Sequence, residues 1–188
     1  MKYFLLQHLI CPACLPKEYP LNIKVQKIDR NRDDDIVSGE LLCSKCKRVF
    51  PIKDGIAFLL ANSEARGMRY EEADMVNRYL WCHYSDIMAQ SDSVLSSFFW
   101  ESLIVANSSS SFDAGCSVGR LVFEMGQKSD WSVGCDLLGS FIKTARSIMH
   151  RQSLMFSLPL EGKIRETFTV TLPNSWRTDN VDFMGVYI

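Results

Sequence analysis

The chain has 188 residues, of which 47% are apolar and 23% are charged. That apolar content can form the core of one domain or two small ones, and it excludes a disordered tail. A formal net charge of −1 gives the chain as a whole no electrostatic reason to bind nucleic acid or anionic lipid. No apolar run reaches the length of a membrane span, so we expect no membrane partner.

The first ten residues are apolar but lack the pattern of a signal peptide. Lys2 is their single cation, Gln7 and His8 interrupt the apolar run, and no small-residue cleavage site precedes Cys11. We therefore interpret residues 1–10 as the first strand or turn of a small domain in a cytoplasmic protein.

Seven cysteines, an odd number, suit a metal site in a reducing compartment better than a disulfide framework. Four of them form two Cys-x-x-Cys pairs separated by 28 residues, and three are single. Two such pairs complete a tetrahedral four-thiolate shell without an open position, which is typical of a structural zinc ion. A redox dithiol is the alternative, but no thioredoxin-like pattern surrounds either pair. The predicted zinc ligands are Cys11, Cys14, Cys43 and Cys46, and the single cysteines are Cys82, Cys116 and Cys135.

The segment between the two pairs has the pattern of a hairpin. Residues 21–25 alternate as a half-buried strand, and residues 30–35 form a charged turn. We expect the acidic triplet Asp33, Asp34 and Asp35 to be solvated at the hairpin tip and to have no function.

Residues 5–14, 41–46 and 50–60 resemble the small zinc-ribbon proteins that activate tRNA, rRNA and translation-factor methyltransferases. The resemblance covers about residues 1–62, and its most specific part is the Pro-Ile-x-Asp-Gly-Ile turn of residues 51–56. It implies a ribbon that shields apolar surface on a methyltransferase partner. The apolar residues Ile56, Phe58, Leu59 and Leu60 either form that docking face or complete the ribbon's own core.

Residues 63–111 are predicted to be a helical bridge that ends in a linker. Apolar residues at three- and four-residue steps predict one helix over 73–87 and a second over 94–105. Residues 107–111, Asn-Ser-Ser-Ser-Ser, have the composition of a polar linker. The candidates for capping a substrate pocket are Trp81, His83, Tyr84 and Trp100, although such residues more often pack in a core.

A β-α-β-α pattern follows the linker. A strand ends at Phe112, residues 113–119 form a turn, residues 120–127 begin a helix, and a second strand and helix occupy 131–136 and 140–151. Asp136 ends the second strand, where a carboxylate is placed to accept both ribose hydroxyls of an adenosine cofactor.

The glycines of the turn indicate which cofactor it suits. A dinucleotide fingerprint requires glycine where Ser117 and Arg120 stand, so a pyrophosphate is disfavoured. A cofactor without phosphates needs only the sharp turn at Gly115 and the close helix approach at Gly119. S-adenosylmethionine meets that requirement.

Residues 113–120, together with 133–136 and 142–146, resemble the first two motifs of Rossmann-fold (class I) S-adenosylmethionine-dependent methyltransferases. The resemblance implies that the methionine end of the cofactor lies along the turn and that Asp136 holds the ribose. Leu137 would lie against the adenine or serve only in packing. The implied cofactor-binding residues are Asp113, Gly115, Cys116, Gly119, Asp136 and Leu137.

The pattern after the second helix predicts a strand over 167–172 and another over 181–188. Family members continue with an acid near the adenine and with a fourth and a fifth strand, which this sequence lacks. In the family's strand order, 3-2-1-4-5, the first strand would then be an unpaired edge open to another chain. We therefore expect a truncated methyltransferase domain with weak or absent catalysis.

These observations predict an α/β protein with three parts. A four-cysteine zinc ribbon occupies 1–62, a helical bridge and linker occupy 63–111, and a partial doubly wound Rossmann-like sheet occupies 112–188. One functional hypothesis is a methyltransferase that uses S-adenosylmethionine, with an unknown acceptor and unknown catalytic residues. The alternative is a non-catalytic adaptor, or a remnant, that docks on a separate methyltransferase. The expected partners are a methyltransferase subunit or a second copy at the exposed sheet edge.

Overall fold

The computed structural model describes residues 1–29, 35–59, 73–88, 102–104 and 108–186. The protein is α/β, with a β-rich region that carries the four paired cysteines and a mixed sheet. The strands are β1 (Leu21–Asp29), β2 (Asp35–Cys43), β3 (Val49–Lys53), β4 (Ile56–Leu59), β5 (Ser108–Ala114), β6 (Ser129–Asp136), β7 (Ser153–Glu161), β8 (Ile164–Thr171) and β9 (Val181–Val186). The α-helices are α1 (Tyr3–Leu6), α2 (Ala73–Tyr84), α3 (Arg120–Gly126) and α4 (Gly139–Arg151).

One sheet runs through both ends of the chain, in the order β1-β2-β3-β4-β9-β6-β5. The strands β1 to β4 pair antiparallel and form the ribbon, whereas β9, β6 and β5 pair parallel and are here termed the half-sheet. The two parts join where β4 pairs parallel with β9, with Phe58 opposite Gly185 and Leu59 opposite Val186. Within the described residues β5 ends the sheet on one side and β1 on the other.

Helices cover one face of the half-sheet. Val181 and Phe183 of β9 are buried on this face, and the Phe183 ring meets the Phe123 ring of α3 edge-on at 5.4 Å. The amphipathic helix α4 packs on β9 and β6, and its apolar residues recur with the helical period and so share one face. The buried residues that α4 contributes are Phe141, Ile142, Ala145, Ile148 and Met149.

The ribbon covers the other face. Trp131 and Val133 of β6 belong to the core cluster of the ribbon, not to that of the helices. The Trp131 ring lies 4.4 Å from the His8 ring and 6.0 Å from the Phe4 ring. A parallel sheet needs cover on both faces. The ribbon therefore supplies the second covering layer of the half-sheet.

Two segments differ from the sequence prediction. Residues 1–10, predicted as a strand or a turn, contain helix α1, a turn and an isolated bridge from Ile10 to Pro20, but no strand. The predicted polar linker over 107–111 lies largely in β5, because strand pairing uses backbone groups and tolerates serine; Ser111 Oγ lies 2.8 Å from Ser129 Oγ across the pair. The predicted second helix over 94–105 falls mostly outside the described residues.

In the chain, the hairpin of β7 and β8 comes between α4 and β9, and it forms a separate two-stranded sheet. Phe156 and Phe168 are buried on one side of it, and the Trp81 ring of α2 packs on Phe168 at 4.6 Å. The strand predicted over 167–172 is thus part of this hairpin. Among the described residues, no helix is both long enough and apolar enough to cross a membrane.

Candidate metal centre and cofactor loop

The four paired cysteines converge on one point. Their sulfur atoms all lie within 4.8 Å of one another. Cys11 Sγ lies 3.7 Å from Cys46 Sγ, and Cys14 Sγ lies 3.9 Å from Cys43 Sγ. A tetrahedral shell with Zn–S bonds of about 2.3 Å places its sulfurs about 3.8 Å apart. The four cysteines are therefore placed to bind a zinc ion, with every coordination position taken by protein, as in a structural site.

Each cysteine pair sits in a tight turn that aims its two sulfurs the same way. Cys11 precedes the 3-10 turn Pro12–Cys14, and Cys43 ends β2. The backbone N–H groups of Lys45 and Cys46 both donate to Cys43 Sγ at 3.4 Å. The turn then reverses at Lys47, whose φ is 63°. These donors stabilise a negative charge on the sulfur, which a zinc ligand carries.

The metal-free thiols differ in acidity. Burial acts to raise the pKa of Cys43, but the N–H donors of Cys46 and Lys45 outweigh it and lower that pKa to about 6. Burial, reinforced by the neighbouring Cys43 and Cys46 thiols, raises the pKa of Cys11 to about 12. Zinc must therefore displace protons to form the full thiolate shell, so its affinity falls as the pH falls.

The glycine turn follows β5 at the carboxyl edge of the half-sheet. Gly115 and Gly119 both have a φ of 85°, which favours glycine. The N–H groups of Gly115 and Cys116 donate to the Cys135 carbonyl at 2.8 and 2.9 Å. Asp136 closes the turn, because its Oδ2 accepts from Ser117 N and its Oδ1 from Leu138 N, both at 2.9 Å. The structure thus places Asp136 at the glycine turn, and its role in holding a ribose stays a prediction.

The two glycines of the turn have different surroundings, which gives a matched pair of variants. A Cβ on Gly119 would lie 2.6 Å from Phe183 and 2.9 Å from Ala145, whereas a Cβ on Gly115 meets nothing within 4 Å. Gly119→Ala should lower the free energy of unfolding by about 2–5 kcal/mol, through backbone strain and overpacking. Gly115→Ala should cost only the strain, about 1–2 kcal/mol. Urea unfolding of both variants measures the difference, and equal losses would contradict the close approach of Gly119 to β9 and α4.

Two carboxylates face the turn. Burial raises the pKa of Asp113, and the charge of Asp136 raises it further. Their mutual repulsion disfavours an anionic group at this turn. For Cys116 and Leu137, the other two predicted cofactor residues, the structure gives burial and packing. The Cys116 thiol is buried above Gly134, where a Cβ would meet its sulfur at 2.7 Å, and Leu137 is half-buried.

The helical bridge holds the glycine turn through residues that sequence patterns did not single out for this role. Tyr84 is fully buried and its hydroxyl donates to the Val118 carbonyl at 2.8 Å. The buried Arg120 guanidinium donates to both carboxylate oxygens of Asp86 at 2.9 Å and to Glu124 at 2.6 Å. It also lies over the Trp176 ring at 5.2 Å. The one sequence feature that drew attention to this cluster was Arg120, which stands where a dinucleotide fingerprint has its third glycine.

His83 lies next to this cluster, and its backbone carbonyl accepts from Arg120 at 3.4 Å. Its ring is 5.8 Å from the Tyr79 ring, which in turn packs on Phe141 at 4.7 Å. Burial and the Arg120 charge lower the pKa of His83 to about 4, so the ring is neutral at pH 7. A role for His83 as a pocket residue stays a prediction, and Trp100 lies outside the described residues.

Comparison with known protein families gives a match within the ribbon. The family model described as Trm112p-like protein matches residues 2–55, a range that contains all four zinc-site cysteines. Residues 2–55 form a Trm112p-like zinc-binding domain. The matched range ends within the turn before β4 and does not reach the half-sheet. No curated protein matches the chain.

Proposed function

We propose that this chain is a zinc-ribbon adaptor for methyl transfer and not itself the catalyst. Its Trm112p-like domain would support a methyltransferase-like half-sheet, and a separate methyltransferase would bind the assembled chain and transfer the methyl group. The observation that carries the proposal is the parallel pairing of β4 with β9, which joins the ribbon to the half-sheet as one continuous sheet.

Burial at this junction supports the ribbon's role in stabilising the half-sheet. Ile56 is fully buried and belongs to the core of the helical face, whereas Leu59 packs in the ribbon core. The apolar residues that the sequence offered as a docking face are thus used within the chain, as far as they are described. The Phe58 ring lies against Gly185, where a Cβ would come within 2.7 Å of it. A ribbon that buries its apolar face in this way stabilises the sheet that it covers.

The described part of the half-sheet supports a non-catalytic role. In the described residues β5 has a neighbour on one side only. Ligands of doubly wound sheets bind in the crevice between strands that diverge on either side of a switch point. We infer that the described half-sheet by itself offers a weaker cofactor site than a crevice with two walls. None of the seven cysteines is in a disulfide, which fits the reducing cytoplasm that we propose as the location of the chain.

The adaptor proposal is tested with the zinc-loaded chain. We expect a protein with methyltransferase activity to co-purify with it, and we expect the chain without that protein to transfer no methyl group from S-adenosylmethionine. Cys43→Ser, which removes a zinc ligand, should abolish co-purification, whereas Cys82→Ser at an exposed cysteine outside the cluster should not. Methyl transfer by the chain alone would contradict the proposal.

S-adenosylmethionine binding by the glycine turn is a second candidate function. The observation that favours it is the contact of Asp136 with Ser117, which sets a carboxylate at the turn formed by Gly115 and Gly119. In this candidate Asp113, Cys116 and Leu137 would complete the cofactor site. The bound cofactor would supply the methyl group, while these residues would only bind and orient it.

Calorimetric titration of the zinc-loaded chain with S-adenosylmethionine tests this second candidate. Saturable heat that is lost in Asp136→Ala, but kept in Asp130→Ala at an exposed position of the same strand, would support a cofactor site. Absence of heat from folded protein would reject this candidate and leave the adaptor proposal standing.

A further inference from the structure

A cluster of four charged groups is buried between the ribbon and the half-sheet. It consists of the amino group of Met1, Asp35 of β2, Arg146 of α4 and Asp182 of β9, and these residues are 0–3% exposed. One Arg146 nitrogen donates to Asp35 and the other to Asp182. The Met1 amino group lies 2.6 Å from Asp35 Oδ1. A single guanidinium thus bridges the ribbon and the half-sheet.

The carboxylates in this cluster are paired with cationic groups. They face the Arg146 guanidinium and the Met1 amino group, whose pKa burial lowers, and the His150 ring lies 3.5 Å from Asp35. Burial alone would raise the pKa of Asp35, but the hydrogen bond from His150 and the charges of Arg146 and the amino terminus lower it instead. Asp35 is therefore a buried anion that requires a cation opposite it. The prediction that Asp35 is solvated at a hairpin tip is therefore wrong.

A glycine shapes the space that the guanidinium fills. Gly55 has a φ of 77°, and a Cβ on it would lie 2.5 Å from Arg146 Nη2 and 2.9 Å from Asp35 Oδ2. Its N–H donates to the Val37 carbonyl at 2.8 Å, which fixes the turn against β2. Gly55 belongs to the Asp-Gly turn that is the most specific part of the ribbon sequence. We term Asp35, Gly55 and the Met1 amino group the arginine socket.

Strand pairing alone cannot select a partner for the ribbon. The β4–β9 pairing has two residue pairs and uses backbone groups, which every strand offers. Side chains must therefore determine which sheet fits, and a buried ion pair rejects any partner that leaves Asp35 without a cation. The socket is a buried charged contact between the described ribbon and the half-sheet. Beside it, the backbone N–H of Lys2 donates to Asp182 at 2.7 Å, and the Lys2 ammonium donates to the carbonyls of Thr178 and Asp179, just before β9.

We propose that the arginine socket is the surface by which the ribbon recognises a methyltransferase-type sheet. The partner that fits presents an arginine from the helix that precedes the strand next to β4, with an acid near the start of that strand. In this chain Arg146 and Asp182 meet that requirement in cis. Because the socket is filled within this chain, the inference rests on the ribbon's proposed support of the half-sheet, and it names the contact that determines which sheet the ribbon fits.

Amide hydrogen exchange in the full zinc-loaded chain tests the socket. Arg146→Gln leaves Asp35 and Asp182 without their shared cation, and we expect amides in β4 and β9 to exchange at least about 100-fold faster than in the wild type. Arg151→Gln, at an exposed arginine of the same helix, should leave them unchanged. Amides of the β7–β8 hairpin serve as the internal reference.

A second variant keeps the test decisive if Arg146→Gln does not fold. In Arg146→Ala, low-millimolar guanidinium should restore protection of β4 and β9 or folding itself, whereas the same concentration of ammonium should not, because only guanidinium has the planar fork. The proposal is overturned if Arg146→Gln exchanges like Arg151→Gln, or if the two cations act alike on Arg146→Ala. If zinc removal still increases exchange of the β9 amides in that case, the hypothesis about the socket is rejected, while the hypothesis that the ribbon supports the half-sheet is retained.

Discussion

Removing zinc with a chelator should unfold the ribbon. The apparent binding free energy of a structural zinc ion is about 10–16 kcal/mol, as large as the whole stability of a typical small domain. The ribbon has little else to replace it, because its core is small and two of the four ligands, Cys11 and Cys43, are themselves buried in that core. Thermal unfolding followed by circular dichroism should lose the ribbon's transition when zinc is removed, and added zinc should restore it.

Two controls make the zinc prediction specific. Cys82→Ser changes an exposed cysteine outside the metal cluster and should leave both zinc content and thermal unfolding unchanged. Lowering the pH should weaken zinc binding, because protons compete for the thiolates. A chelated sample that keeps the complete unfolding transition would show that the cysteine cluster does not support the fold.

The second large effect is expected at Arg120. Arg120→Met would leave the carboxylates of Asp86 and Glu124, 1% and 10% exposed, without their cation. Breaking a buried pair in this way costs about 3–5 kcal/mol. Because Arg120 follows the glycine turn directly, the loss should also loosen that turn. Urea unfolding measures the free-energy change.

A matched control separates burial from charge. Arg165 pairs with Asp74 at 2.6 Å, but both side chains are exposed, so Arg165→Met should change the free energy of unfolding little. A loss below about 1 kcal/mol for Arg120→Met, typical of an exposed ion pair, would contradict the buried cluster.

The sequence predicts the local features of this protein well. The two cysteine pairs predict the metal centre, because a Cys-x-x-Cys turn fixes the direction of both sulfurs without any distant contact. Helix α4 and strand β6 follow from the period of their apolar residues, and their observed bounds lie within two residues of the predicted ones. The place of Asp136 beside the glycine turn follows from the neighbouring ends of parallel strands.

Long-range pairing could not be predicted in the same way. No local pattern indicates that β4 pairs with β9, since backbone groups make the bonds and the strands are more than 100 residues apart. Asp35 illustrates the same limit. It belongs to a run of three acids that has the composition of a solvated turn, yet it forms a buried ion pair with Arg146, 111 residues away. Serine-rich β5 resembles a linker in its sequence because strand propensity is weak compared with pairing context.

The measurement that tests the central claim most directly is hydrogen exchange of the half-sheet with and without zinc. The zinc site lies in the ribbon, whereas β6 and β9 lie in the half-sheet that the ribbon covers and extends. If the ribbon supports that sheet, chelation should deprotect amides of β6 and β9 together with those of β2 and β3, and zinc should restore protection in all four strands. Unchanged protection of β6 and β9 in metal-free protein would show that the half-sheet stands without the ribbon, and would contradict the adaptor account.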